Sequence, residues 1–166
     1  MSSPNAPNTS GISAGIVTLL ASAPFTLTLG QVGYKKAMQG RLKDVTDLIP
    51  CATVEAARGT AGPYSAGGTA IGWKAEDEPV FRITSYVDDS DAETSEKDIV
   101  LIRDAIIPLF LNPKALANLP VQNVYKNAVV PDSEQYLYRD MQNGVIYRAH
   151  QFLVRVYQQY NLYLTS

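Results

Sequence analysis

The chain has 166 residues, 46% of them hydrophobic and 18% charged, which suits one globular domain with a sizeable core and argues against wholesale disorder. A net charge of −2 and a pI near 5.3 give no global attraction to nucleic acid or acidic membranes, so a dedicated DNA-binding domain is disfavoured. Cys51 is the only cysteine, which excludes an intrachain disulfide and fits a reducing compartment.

Residues 1–10, "MSSPNAPNTS", read as a flexible polar tail, and residues 11–166 as a single domain. Ser10 stands before a stretch with Ile12, Ile16, Leu19 and Leu20 on one helical face, which Pro24 stops. The apolar run from Ile12 to Leu29 raises the question of export or membrane insertion. No Lys or Arg precedes it, the first being Lys35, so the basic start of a secretory signal is missing. Ser, Thr and Pro24 dilute it as a membrane span, and the expectation is a helix followed by a short strand, "FTLTL", with no membrane contact.

Residues 31–49 place Met38, Leu42, Val45 and Ile49 at helical spacing and predict a second amphipathic helix, interrupted by Gly33 and Gly40 and ended by Pro50. "CATVEAARG" follows as a modest strand. The five glycines of "GTAGPYSAGGTAIG", residues 59–72, lack the Gly-Lys-Ser/Thr of a phosphate loop and open no clear dinucleotide-binding helix. They predict a long mobile hairpin loop, with Tyr64 as a contact residue once a partner orders it.

"PVFRITSYVDD", residues 79–89, alternates as a strand does: Phe81, Ile83 and Val87 on one face, Arg82, Thr84 and Tyr86 on the other. "SDAE" then offers a capping box of Ser90 and Glu93. The following helix aligns Ile99, Ile102, Ile106, Leu109 and Phe110, with Pro108 near its end. Strands are expected over 121–130, 134–140 and 145–160, the last two joined by an Asn143-Gly144 turn. The fold class is α+β: a mainly antiparallel sheet with helices packed on one face.

Catalytic chemistry finds little support. One histidine, His150, and one cysteine cannot supply a standard transition-metal site in a monomer. His150 could serve Cys51 or a serine as a base, yet no nucleophile elbow accompanies it, and a lone histidine on a strand fits a structural or interface role better. Asp89 and Asp91 share the opening spacing of a calcium loop but lack its glycine and distant glutamate. Their position at a helix start explains them through the helix dipole.

The stretch "YRAHQFLVRVYQQYN" puts Phe152, Val154 and Val156 on a core face. Gln151, Leu153, Arg155, Tyr157 and Gln159 share the other. Together with Arg82 and Tyr86, that second face has the Tyr and Arg content of a protein interface and few of the Lys and Glu of free surface. Arg and Tyr could also stack on single-stranded nucleic acid, but the acidic total favours a protein partner.

The order of these features, and above all the block "EPVFRITSYVDDSDAE" with the helix "SEKDIVLIRDAIIPLF" and the terminal "RAHQFLVRVYQQYN", resembles the tail-terminator (tail-completion or neck) proteins of long-tailed bacteriophages. The resemblance spans roughly residues 12–162 in element order and is most specific over 78–110. It implies a tail-terminator-like fold and a homohexameric ring in the tail or neck of the virion, assembled in the host cytoplasm. Such a ring caps the tail-tube protein, ends its growth and meets the head-completion or stopper connector. Phage DNA only passes through the lumen, and no cofactor or catalysis is implied. The subunit or partner interface is expected at Tyr64, Arg82, Tyr86, Gln151, Arg155, Tyr157 and Gln159. Another neck or head–tail joining protein of the same virion, or a small enzyme or ligand-binding domain using His150, are the alternatives.

Overall fold

The computed structural model describes residues 9–41, 47–57, 64–69, 72–111, 134–142, 144–156 and 158–162. Helix α1 (Thr9–Ala21) is followed by strands β1 (Lys36–Gln39), β2 (Cys51–Ala56), β3 (Tyr64–Thr69), β4 (Gly72–Asp77) and β5 (Val80–Asp88). Helix α2 (Ala92–Leu111) then leads to β6 (Gln135–Gln142), β7 (Val145–Arg155) and β8 (Gln158–Leu162). The main sheet runs β1-β2-β5-β7-β6; β1 and β2 are parallel and every other neighbour is antiparallel. The fold is α+β, with both helices on the same sheet face.

Alternation decides which face that is. Phe81, Ile83 and Val87 of β5 and Phe152 and Val154 of β7 point into one core with Ala52 and Val54 of β2. Ile12, Ile16 and Leu20 of α1, and Ile99, Ile102, Ile106 and Phe110 of α2, close it from above. Phe110 meets Phe152 edge-on with ring centroids 5.8 Å apart, a favoured aromatic geometry. The apolar stripes expected of both helices are therefore the buried ones, except that Leu19 and Leu109 are only half-buried.

Several expectations need correction. Of the helix expected over 31–49, residues 31–41 and 47–49 are not helical, and 42–46 lie outside the described residues. Gly33 and Gly40 take φ of +65° and +84°, outside the right-handed helix, and Lys36–Gln39 between them pairs with Cys51–Val54 as an edge strand. "FTLTL" is a tight hairpin rather than a strand: Thr26 bridges Val32, Phe25 and Leu27 are buried, and Leu29 projects outward. The helix cap shifts by one residue, because Asp91 rather than Ser90 accepts from the Thr94 amide at 3.1 Å, while Ser90 bonds to Asp88. Glu93 pairs forward with Lys97 at 2.7 Å instead of back to the cap. The helix-start reading holds for Asp91, which caps α2, whereas Asp89 is buried and contacts Arg148 and Ser95. The strand expected at 121–130 lies outside the described residues, as does most of the tail at 1–10; Thr9 and Ser10 already belong to α1.

A second sheet, β3-β4-β8, includes Tyr64–Thr69, where a loop was expected; the rest of 59–71 lies outside the described residues. The expected single strand over 145–160 is divided between the two sheets, yet its pairing never slips. Asp88 faces Tyr147 and Val80 faces Arg155; beyond the break Asp77 faces Gln158 and Trp73 faces Leu162, in the same register. The break falls at Pro79. Its carbonyl still accepts from the Val156 amide at 3.0 Å, but proline has no N–H to return. One antiparallel ribbon thus runs roughly 50 Å at about 3.3 Å per residue, out of the helix-covered sheet into a three-stranded arm. The β6–β7 hairpin closes as expected, with Gly144 at φ +80°.

The face assignment makes a direct prediction. Phe152→Ala should cost about 3–5 kcal/mol in chemical denaturation, as for other buried phenylalanines. Leu153→Ala, one residue away on the half-exposed face, should cost less than half as much. Equal losses would contradict the assigned faces.

Candidate functional site

The sheet face away from the helices is built by register. Glu55, Arg82 and Leu153 form one cross-strand row, Thr53, Thr84 and Gln151 the next, and Cys51, Tyr86 and Ala149 the third. Four of the seven expected interface residues, Arg82, Tyr86, Gln151 and Arg155, therefore do share one face. They are all half-buried. Gln159 belongs to β8, opposite Glu76, and Tyr64 to β3, so both stand in the arm rather than on this face. Tyr157 lies outside the described residues.

Polar contacts order this face. Gln151 Nε2 donates to Thr84 Oγ1 at 3.0 Å. Tyr86 stacks edge-on against Tyr147, centroids 5.5 Å apart, within a small apolar cluster with Ile49 and Cys51. Burial raises the Tyr86 phenol above its usual range, and it pushes the Cys51 thiol up to about 12. Cys51 is therefore a thiol at neutral pH and a weak nucleophile. Arg82 and Arg41 converge on one carboxylate, Glu55, at 3.5 and 3.0 Å, which leaves a positive surplus there among the described residues. Arg155 lies 3.8 Å from Glu78 of its own chain, so an acid of this chain already stands beside it.

His150 sits on the opposite, helix-covered face, in the row of Ala52, Ser85 and Tyr136. It is fully buried between the Tyr136 and Phe152 rings. The sheet itself separates it from Cys51, so these two do not form a nucleophile–base pair. Nε2 lies 2.8 Å from Glu134 Oε1, while Nδ1 has no partner among the described residues. Arg103 of α2 grips the same carboxylate and holds it below the usual glutamate range. The histidine thus ties β7 to Glu134, and Glu134 to α2.

Sequence reasoning missed a second buried clamp. Arg148 of β7 contacts Asp89 at 3.5 Å and pairs with Glu96, and Asp89 also accepts from Ser95. The signal was available: Arg148 shares its strand parity with His150, Phe152 and Val154, which places it on the core side. A third clamp, Asp98, accepts from the Thr28 amide at 2.7 Å and from its hydroxyl at 2.6 Å, fixing the 26–32 hairpin on α2. Among the described residues no group of three or more His, Cys, Asp or Glu could hold a metal ion, and no helix is long and apolar enough to cross a membrane. Compared with known proteins, the chain matches no family model, and no curated protein matches it.

The buried clamp sets a pH dependence. Desolvation lowers the His150 pKa below its usual 6.5, outweighing the Glu134 contact. The unfolded chain therefore binds the proton first, so stability is complete above that value and declines as the pH falls through it. Glu134, whose reference value is 4.5, loses its share only at lower pH. Denaturation midpoints measured from about pH 8 down to about pH 5 should fall in the wild type and flatten in His150→Gln. An unchanged slope in the variant would contradict this assignment.

Proposed function

We propose that this chain is a structural subunit of a phage virion: a tail terminator whose homohexameric ring caps the tail tube, ends its polymerisation and joins it to the head-side connector. The observation that carries the reading is the ribbon that leaves the helix-covered sheet in unbroken register. Neither helix makes extended contact with the arm it forms. Among the described residues no helix packs over these three strands, and a ring would supply neighbours to cover them. The half-buried Arg82, Tyr86, Gln151 and Arg155 face adds the residue types that protein contacts favour.

On this reading the subunit works by geometry alone. The DNA passes through the lumen, no cofactor participates, and the clamps at His150, Arg148 and Asp98 keep the helices fixed while the other surfaces meet partners. Another neck or head–tail joining role in the same virion would use the same surfaces, with a different neighbour on one side of the ring.

Polymerising the cognate tail-tube protein with and without this chain, viewed by electron microscopy, separates these outcomes. A terminator decorates one end of each tube and stops its elongation. Binding along the tube wall, or tubes that lengthen equally in its presence, would overturn the reading.

A further inference from the structure

Two clefts lie at opposite ends of β2 and β5. The first, about 630 Å³, opens beside the 26–32 hairpin where β5 ends and α2 begins, and Leu29, Asp88 and Asp91 line it. Leu29 is 88% exposed and Val32 70% exposed. Half-exposed Val100 and Leu101 of α2, next to Thr28, extend the apolar area. An outward-pointing leucine on a loose loop would mean little. Here the loop is anchored by the two bonds from Thr28 to the buried Asp98, so its tip is held in place before any contact forms.

The second cleft, about 720 Å³, lies where β2 ends and β5 begins, against the first turns of α1. Val54, Ala56 and Phe81 line it, and Arg41 and Arg82, two cations sharing Glu55, are also among its lining residues. The stretch of β5 from Phe81 to Val87 separates the two clefts by roughly 20 Å.

We infer that copies of this chain join head to tail, with the Leu29 knob of one copy seated in the Arg41–Arg82 cleft of the next. This deepens the ring reading and rests on it. The two surfaces complement each other in chemistry. Exposed Asp88 and Asp91 flank the knob, opposed locally by Lys35, whereas among the described residues the socket carries two arginines for one glutamate. A rigid apolar side chain entering a cleft with charges of opposite sign around it has the layout of an interface hot spot. Knob and socket are different patches of one subunit, so the contact is heterologous, the type that closes into rings. A self-matching two-fold contact would stop at a dimer.

The test uses the full chain and weighs it in solution by light scattering. Leu29→Asp breaks the knob, and Arg41→Glu breaks the socket; both sites are more than four-fifths exposed, so folding should be unaffected, which circular dichroism checks. Ser10→Trp, on an exposed position lining the cleft, blocks the socket by bulk instead of charge. Each variant alone should need at least about tenfold more protein than wild type to assemble. An equal mixture of Leu29→Asp and Arg41→Glu should form dimers and nothing larger, because one intact knob meets one intact socket. Multimers of normal size in Leu29→Asp would overturn the joint while leaving the ring reading standing, and so would a mixture that stays monomeric. A wild-type chain that is monomeric at every concentration would bring down the ring reading itself, and this joint with it.

Discussion

The pairing of β5 with β7 is the constraint on which the rest depends. Its register places Phe81, Ile83, Phe152 and Val154 together under the helices, and it sends Arg82, Thr84, Gln151 and Leu153 to the other side. A slip of one residue would exchange the two sets and bury two polar rows in the core, so the alternation of side chains enforces the register. The same pairing, carried past Pro79, fixes the arm: β4 and β8 inherit their alignment from the strands before them. Core, opposite face and arm are consequences of one ribbon.

Around the ribbon, polar side chains fix what hydrophobic packing alone leaves free. Apolar contact sets how closely a helix approaches a sheet but restrains sliding weakly. Asp98 with Thr28, Arg148 with Asp89 and Glu96, and Arg103 with Glu134 and His150 tie α2 to three separate places. The buried charges among them, Asp89, Asp98 and Arg148, add little net stability, since desolvation offsets their attraction, and their value lies in specifying one arrangement. If the chain is a ring subunit, as proposed, that single arrangement lets it present the same surfaces to each neighbour.

What could be read from the sequence follows the same physics. The strands at 79–89 and 145–155 and the helix after "SDAE" were legible because their apolar residues recur with one unambiguous period. The face holding Arg82, Tyr86, Gln151 and Arg155 was legible for the same reason. The segment 31–41 was not: Met38 and Leu42 are spaced as on a helix, but two glycines at positive φ take the described chain elsewhere, and the sequence names the glycines without their angles. Tyr64–Thr69 was read as a loop because Ser, Ala, Gly and Thr carry no alternating pattern, and only pairing with β4 makes them a strand. Gln159 was assigned to the Arg155 face because nothing in its spelling marks the change of sheet at Val156. The parity of His150 with Phe152 gives its place, in the core.

The central claim is that the surfaces left over by this fold serve assembly. Native mass spectrometry of the purified full chain over a range of concentrations tests it most directly. The account predicts one closed species, six times the 18.1 kDa chain, with no open-ended series of larger masses. A chain that remains a monomer at every concentration, or grows without closing, would contradict it.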